Sequence, residues 1–334
     1  MSNATFYKGS KSGRIQKADT QLKKLEGDFV RLRITASGVC GTDLHYRTQP
    51  MALGHEGVGI VEETGPAVKH LQKGDRVGWG YVHDTCGECE HCLTGMDTFC
   101  WSRAMYGEAD LDQGSFGTGA VWREAFLFKV PDSIADEHAA PLQCGGATVF
   151  GALEIHNVKS TDRVGIIGVG GLGHLAIQFA SKKGCDVVVF SGTESKKDEA
   201  MELGASSFYA MKDKKPGDTD IGRPLDALIV TASALPDWSL YIPLLNRGAK
   251  IFPLSVAEGD FAIPHMQMMS NGLVIQNSLV APRLVHQRML EFAAHHGIKP
   301  MVEKFEMSEK GIEEAMEKLD AGKLRYRAVL LNKQ

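Results

Sequence analysis

Four cysteines, Cys86, Cys89, Cys92 and Cys100, follow one another in the spacing C-x2-C-x2-C-x7-C. Four thiolates at such short intervals on one loop can close a tetrahedral shell around a single Zn²⁺. A closed all-sulfur shell leaves no position for a substrate, so this metal is expected to be structural. The surroundings suit a loop: Gly87 and Gly95 permit tight turns, and Asp84, Glu88 and Glu90 keep it solvated. Disulfides or scattered free thiols are the competing reading, which the repeated x2 spacing disfavours.

A second set of donors is dispersed. Cys40 lies in Gly38-Val39-Cys40-Gly41-Thr42-Asp43-Leu44-His45, His55 and Glu56 in Gly54-His55-Glu56-Gly57, and Cys144 in Pro141-Leu142-Gln143-Cys144-Gly145-Gly146-Ala147-Thr148. Two cysteines and a histidine make a three-ligand Zn²⁺ site with one position open, as catalytic zinc requires. Each cysteine alone also reads as a small buried hydrophobe, and Cys185, just before a strand, is expected to be one.

The third chemical signal is Gly168-Val169-Gly170-Gly171-Leu172-Gly173. In such a G-x-G-x-x-G turn the first glycine allows the tight turn, the second the approach of a pyrophosphate, and the third close helix–strand packing. Gly168, Gly170, Gly171, Leu172 and Gly173 are therefore candidate dinucleotide contacts at a helix N-terminus. The next strand ends at Phe190 and runs into Ser191-Gly192-Thr193-Glu194-Ser195-Lys196-Lys197. An NAD site usually carries a carboxylate at that strand end. Hydroxyls and a lysine suit a 2′-phosphate instead, so NADP(H) is expected over NAD(H). Glu194 could serve a 2′-hydroxyl if it turned inward, and the lysines could be a solvated helix start.

Elements of two textures must position these groups. Up to about residue 140 the chain reads as short strands between glycine turns: Val30–Ile34, Gly57–Val61 and Asp75–Trp79. From about residue 145 strands alternate with helices, which implies a parallel sheet. Val164–Ile167 is a buried strand, and Leu172, Leu175, Ala176, Phe179 and Ala180 form a helical stripe. Asp186–Phe190, Leu225–Val230 and Ala249–Leu254 continue the pattern, and a helix near Glu313–Leu319 precedes a terminal strand, Ala328–Leu331.

Bulk properties narrow the function. A chain of 334 residues suggests two domains, and 43% hydrophobic with 23% charged residues is ordinary for a globular protein. A formal charge of −4 with no basic block argues against nucleic acid or an anionic membrane as partner. Met1–Arg14 is polar, unlike a secretory signal, and no apolar run reaches the roughly 18 residues that would span a bilayer. Cysteines in metal-like spacings suit a reducing compartment, so the expectation is cytoplasmic.

Taken together, these motifs resemble the zinc-dependent medium-chain alcohol dehydrogenases, most of all the cinnamyl-alcohol-dehydrogenase-like branch, over nearly the whole chain. The resemblance implies an α/β protein: a GroES-like, partly β catalytic domain at 1–145 and 280–334, and a Rossmann doubly wound parallel sheet at 146–279. The active cleft would lie at their junction. It implies two Zn²⁺ per chain, one held by Cys40, His55 and Cys144, the other by Cys86, Cys89, Cys92 and Cys100. Glu56 matches an acid that can approach the catalytic metal, and Asp43 a carboxylate that orients the ligand histidine. Thr42 and His45 match a proton relay, in which a hydroxyl passes the alcohol proton and an imidazole holds it near neutral pH. Thr148 matches a residue near the nicotinamide, and Ser191, Thr193 and Lys196 a 2′-phosphate pocket. The implied reaction is hydride transfer between NADP(H) and a primary alcohol or aldehyde, including aromatic or cinnamyl-type ones, by a homodimer or homotetramer. Edge pairing near Val274–Val280 is a candidate subunit contact.

The chain also departs from the family. The loop between Cys40 and His55 is shortened at Tyr46–Leu53, which alters the expected substrate pocket. Ala281-Pro282 replaces a Gly-Ser step beside the nicotinamide, so no cofactor contact is carried over there. Trp79, Trp101 and Tyr106 could line an aromatic pocket or simply be core. Three rival readings are reduction of an activated C=C or C=N bond, binding of NADPH without turnover, and a zinc-ribbon nucleic-acid binder. The relay residues disfavour the first, the full ligand set the second, and the lack of a basic surface the third.

Overall fold

The computed structural model describes residues 3–232, 234–256 and 260–333. The chain divides into two compact units, Met1–Ala147 with Leu279–Gln334, and Thr148–Ser278.

The first unit is built on a mixed sheet. Phe29–Val39 is its longest strand, and its apolar residues alternate inward, as the Val30–Ile34 pattern predicts. It pairs antiparallel with Gly57–Thr64, with Gly119–Arg123 and with the terminal strand Arg327–Leu331. Arg76–Trp79, Phe128–Lys129 and Val302–Glu306 extend the sheet. Val30, Leu32, Ile34, Val77, Trp79, Phe116 and Leu330 pack one continuous core. An amphipathic helix, Glu309–Asp320, closes it with Ile312, Ala315 and Met316, and Ser308 caps its N-terminus by accepting from the Gly311 N–H. The sequence pattern places this helix correctly but marks only seven of its 12 residues, Glu313–Leu319. A hairpin, Asn3–Lys8 with Gln16–Gln21, adds an element that the polar N-terminus does not announce.

The second unit is a six-stranded, all-parallel sheet in the order Ser207–Ala210, Asp186–Ser191, Arg163–Ile167, Leu225–Val230, Leu245–Pro253, Val274–Ile275. That is the third-second-first-fourth-fifth-sixth order of a dinucleotide-binding doubly wound fold. Every residue of Arg163–Ile167 is buried, as a central parallel strand covered on both faces must be. The outermost strand is only Val274–Ile275; the expected longer edge to Val280 does not form, and the chain leaves the sheet through irregular structure. Among the described residues no helix is long and apolar enough to cross a membrane.

Candidate active site and metal centres

Cys40, His55, Glu56 and Cys144 meet inside the first unit, with one ligand atom of each within 4.8 Å of the others. Three local devices bring them together. Cys40 ends the long strand and starts a short helix, Gly41–Tyr46, whose third residue Asp43 accepts the Cys40 backbone N–H at 2.9 Å. His55 and Glu56 lead into the paired strand Gly57–Thr64. Cys144 rides on a π-helical turn, Leu142–Gly146, a geometry that recurs at functional sites.

The orientation of His55 is over-determined. Its Nδ1 lies 3.0 Å from Asp43 Oδ1, and its ring stacks on Tyr106 at 4.8 Å between centroids. The Tyr106 hydroxyl in turn accepts the Gly54 N–H at 3.0 Å. Asp43 thus fixes the Nδ1–H tautomer and leaves Nε2 as a lone-pair donor. That Nε2 is buried without a hydrogen-bond partner among the described residues, as is Glu56 Oε2. Two thiols, an imidazole nitrogen and a carboxylate oxygen converging with unspent donor capacity fit a divalent zinc-like cation.

Charge is distributed unevenly in this buried cluster. Burial raises the Glu56 carboxyl to about 7, with Arg327 acting against that rise. Arg327, 5% exposed, pairs with Glu56 through its guanidinium and is held charged: burial lowers its pKa, and Glu56 together with Cys40 and Cys144 more than compensates. Hydrogen bonding to Cys144 lowers the Cys40 thiol and pushes Cys144 up, burial raising both. Burial lowers His55, and Asp43 together with Cys40 outweighs it, raising its pKa. Arg327 lies nearly 300 residues from Cys40 in the chain, and no spacing in the sequence marks it.

Thr42 and His45 share one turn of the helix Gly41–Tyr46. Thr42 Oγ1 lies 3.8 Å from Cys40 Sγ, and His45 is solvent-exposed. Of the three aromatics, Tyr106 contacts the site, Trp79 is core, and Trp101 is 88% exposed, its ring 5.9 Å from that of His91.

Four of the remaining five cysteines, Cys86, Cys89, Cys92 and Cys100, form a separate cluster on the loop from Val82–Asp84 to Ala104–Met105. Their sulfurs all lie within 4.8 Å of one another, with separations of 3.5 Å for Cys86–Cys100, 3.6 Å for Cys89–Cys92 and 3.9 Å for Cys86–Cys92. These are too long for disulfides and close to the roughly 3.8 Å edge of a tetrahedron with about 2.3 Å Zn–S bonds. Backbone N–H groups of Cys86, Cys89 and Ser102 point at Cys100 and Cys86 sulfurs at 3.4 Å. N–H donors from Glu88 and Cys89 bring Cys86 down to about 7, whereas burial lifts Cys100 to about 11. Cys185 stands apart, buried, with its thiol 3.3 Å from the Lys159 carbonyl.

In the second unit Gly168–Gly173 links the strand Arg163–Ile167 to the helix Gly173–Lys183. Gly168 has φ +95°, a Cβ at Gly173 would collide with the Gly168 carbonyl, and a Cβ at Gly170 would meet nothing within 4 Å. The turn is therefore tight at both ends and open in the middle, as a pyrophosphate cradle must be. Thr231 pins it by donating to the Ile167 carbonyl at 2.8 Å, a contact the sequence does not signal. Gly171 and Leu172 are partly exposed on the same turn, and Thr148 is partly exposed on the helix Ala147–Ile155. Ser191 ends its strand and Thr193 shares a 2.9 Å hydrogen bond with Ser195. Lys196 donates to the Val169 carbonyl at 2.6 Å, which ties the lysine to the glycine turn. Glu194 pairs with Lys197 at 3.3 Å, both largely exposed.

Comparison with known proteins agrees with this architecture. Residues 26–132 match the alcohol dehydrogenase GroES-like domain, and residues 171–302 match the zinc-binding dehydrogenase domain. A probable formaldehyde dehydrogenase of Bacillus subtilis is 34% identical over 330 residues, covering 95% of this chain and 94% of that protein. A cinnamyl alcohol dehydrogenase of Sorghum bicolor superposes with a TM-score of 0.89 at 28% identity, covering 98% and 97% of the two chains. A Helicobacter pylori cinnamyl alcohol dehydrogenase, solved with NADP(H), gives a TM-score of 0.87 at 26% identity and the same coverage. The chain belongs to the zinc-binding alcohol dehydrogenase family, with one GroES-like unit and one Rossmann unit.

Proposed function

We propose that this protein is a zinc-dependent alcohol dehydrogenase and aldehyde reductase that uses NADP(H) in preference to NAD(H). The observation that carries the reading is the buried convergence of Cys40, His55, Glu56 and Cys144, with His55 Nε2 unpartnered. In this reading Cys40, His55 and Cys144 hold the catalytic zinc, with Glu56 within reach of it, and Cys86, Cys89, Cys92 and Cys100 hold a structural zinc. When bound, the metal supplies Lewis acidity to the substrate oxygen and the nicotinamide supplies or accepts the hydride.

The chain's own residues do the rest. Asp43 keeps the His55 imidazole in one tautomer and orientation. Arg327 balances Glu56, so the cluster carries a paired carboxylate rather than an isolated buried one. Thr42 passes the alcohol proton by hydrogen bonding, and the exposed His45, one turn on, exchanges it with water. Gly168, Gly170, Gly171, Leu172 and Gly173 cradle the pyrophosphate, Ser191, Thr193 and Lys196 take the 2′-phosphate, and Thr148 borders the nicotinamide. The Glu194–Lys197 pair supports the NADP reading, because it turns the nearby carboxylate outward.

The domains of this reading are 1–145 with 280–334, and 146–279. The partner beyond a small alcohol or aldehyde is a second copy of the chain, as homodimer or homotetramer. Support comes from exposed apolar residues at the edge, Val274 and Ile275, and on the preceding helix His265–Asn271, Met266 and Met269. The expected compartment is the cytoplasm. The test is oxidation of NADPH, then NADH, against aliphatic and aromatic aldehydes. Aldehyde-dependent turnover that favours NADPH supports the reading. Turnover only with activated C=C or C=N substrates replaces it.

A further inference from the structure

We propose that His286, acting through Gln143, is a positioning residue for Cys144, and that the helix turn carrying His286 braces both cysteine-bearing segments. The inference rests on reading Cys144 as a catalytic-metal ligand. His286 lies in the first turn of the helix Arg283–His296 and is 3% exposed. Its Nε2–H donates to Gln143 Oε1 at 2.9 Å. Gln143 is fully buried, and its own amide donates to the Ala139 carbonyl at 2.9 Å, one turn back. The glutamine side chain therefore bridges the end of the helix Asp136–Pro141, the π-turn that presents Cys144, and the distant helix.

Sequence choices around the pair make room for it. A Cβ at Gly78 would overlap the Gln143 amide, and one at Gly80 would press on the Gln143 carbonyl. A Cβ at Gly146 would come within 3.1 Å of Met289 on the same helix. The His286 ring lies flat on Phe128, centroids 3.9 Å apart and planes 11° from parallel. Burial pushes this imidazole down to about 3, so it stays neutral and its donor is constant across the working pH range. A π-turn has looser backbone bonding than an α-helix, so a side-chain clamp next to the ligand sets where its thiol points.

The same helix turn reaches the four-cysteine lobe. The Arg283 side chain pairs with Asp97, three residues before Cys100, and its backbone N–H donates to Asp97 Oδ1 at 3.2 Å. Asp97 is buried, and the guanidinium also lies over the Phe126 ring at 5.2 Å. Arg283 and His286 thus tie one helix turn to Asp97, three residues before Cys100, and to Gln143, next to Cys144.

The test follows zinc release from the holoenzyme into a chromogenic chelator. His286→Phe keeps a ring against Phe128 and removes the donor; His286→Gln keeps an amide N–H at similar reach. The expected result is that His286→Phe loses one zinc roughly ten-fold faster, with the second zinc unchanged, and that His286→Gln stays near wild type. In cobalt-substituted enzyme the bands of the Cys40–His55–Cys144 site shift in the Phe variant and not in the Gln variant. Wild-type release and spectra in both variants overturn the proposal, as does equal acceleration in both, which would indicate packing alone. If the Phe variant does not fold, Gln143→Leu takes its place: faster release supports the clamp and an unchanged rate refutes it. A wild-type enzyme that holds a single zinc would instead refute the metal-site reading beneath the proposal.

Discussion

The two cysteine-rich clusters of the first unit differ in how they are made. The Cys86–Cys100 cluster is local: one loop carries every sulfur, Cys86 is exposed, and backbone N–H groups stabilise the thiolates. The Cys40–His55–Cys144 cluster is assembled from three segments, is buried but for a partly exposed Cys40, and needs side chains from elsewhere to orient it. Asp43 serves His55, Arg327 serves Glu56, and the π-turn serves Cys144. A local cluster depends on its metal to hold the loop. A dispersed one depends on the fold to hold its donors, and it can therefore leave one position for chemistry.

Breaking each cluster should give different failures. Cys40→Ser is expected to cost the most activity, on the order of 10³-fold in turnover, because several kcal/mol of Lewis-acid stabilisation goes with the metal. Metal analysis of that variant should show one zinc lost and one kept. Arg327→Leu leaves the Glu56 carboxylate buried and unpaired, which should destabilise the fold by about 3–5 kcal/mol in denaturant titration. Activity in the surviving folded fraction should fall less than stability. Asp43→Asn keeps the shape but weakens the orientation of His55, and a loss of roughly 10–100-fold in affinity for the catalytic metal is expected in chelator competition. Cys100→Ser should spare that site's own donors and instead lower the melting temperature and free one zinc. Lys196→Ala should have the smallest effect, about ten-fold in the NADPH-over-NADH ratio of kcat/KM, set by loss of one charge-assisted contact.

What could be read in the sequence follows the same division. The four-cysteine loop and the glycine turn were legible because their chemistry is concentrated in a few consecutive residues with fixed spacing. The parallel strands were legible as β-branched runs such as Asp186–Phe190. Cys40, His55 and Cys144 could be nominated by type, and their joining into one site came from the resemblance rather than from spacing. Arg327 and His286 gave no signal, and Tyr106 stood out only as an aromatic for pocket or core, not as the ring that stacks on His55. Each is an ordinary residue in a strand, turn or helix, and its role arises only when register and packing place it beside a ligand. The edge strand stops short of Val280 because polar Gln276-Asn277-Ser278 interrupts the apolar residues; Val274 and Ile275 pair with Lys250 and Ile251, and Gln276 adds one N–H bond to the Ile251 carbonyl. The N-terminal hairpin was missed because its strands are largely polar, and its inward residues Ala4 and Phe6 alternate over too short a stretch to stand out.

The most direct measurement is zinc content together with aldehyde-dependent NADPH oxidation, in wild type and in Cys40→Ser. The account predicts two zincs and turnover in the wild type, and one zinc with turnover lost in the variant. Full turnover by a Cys40→Ser enzyme that retains a single zinc would contradict it.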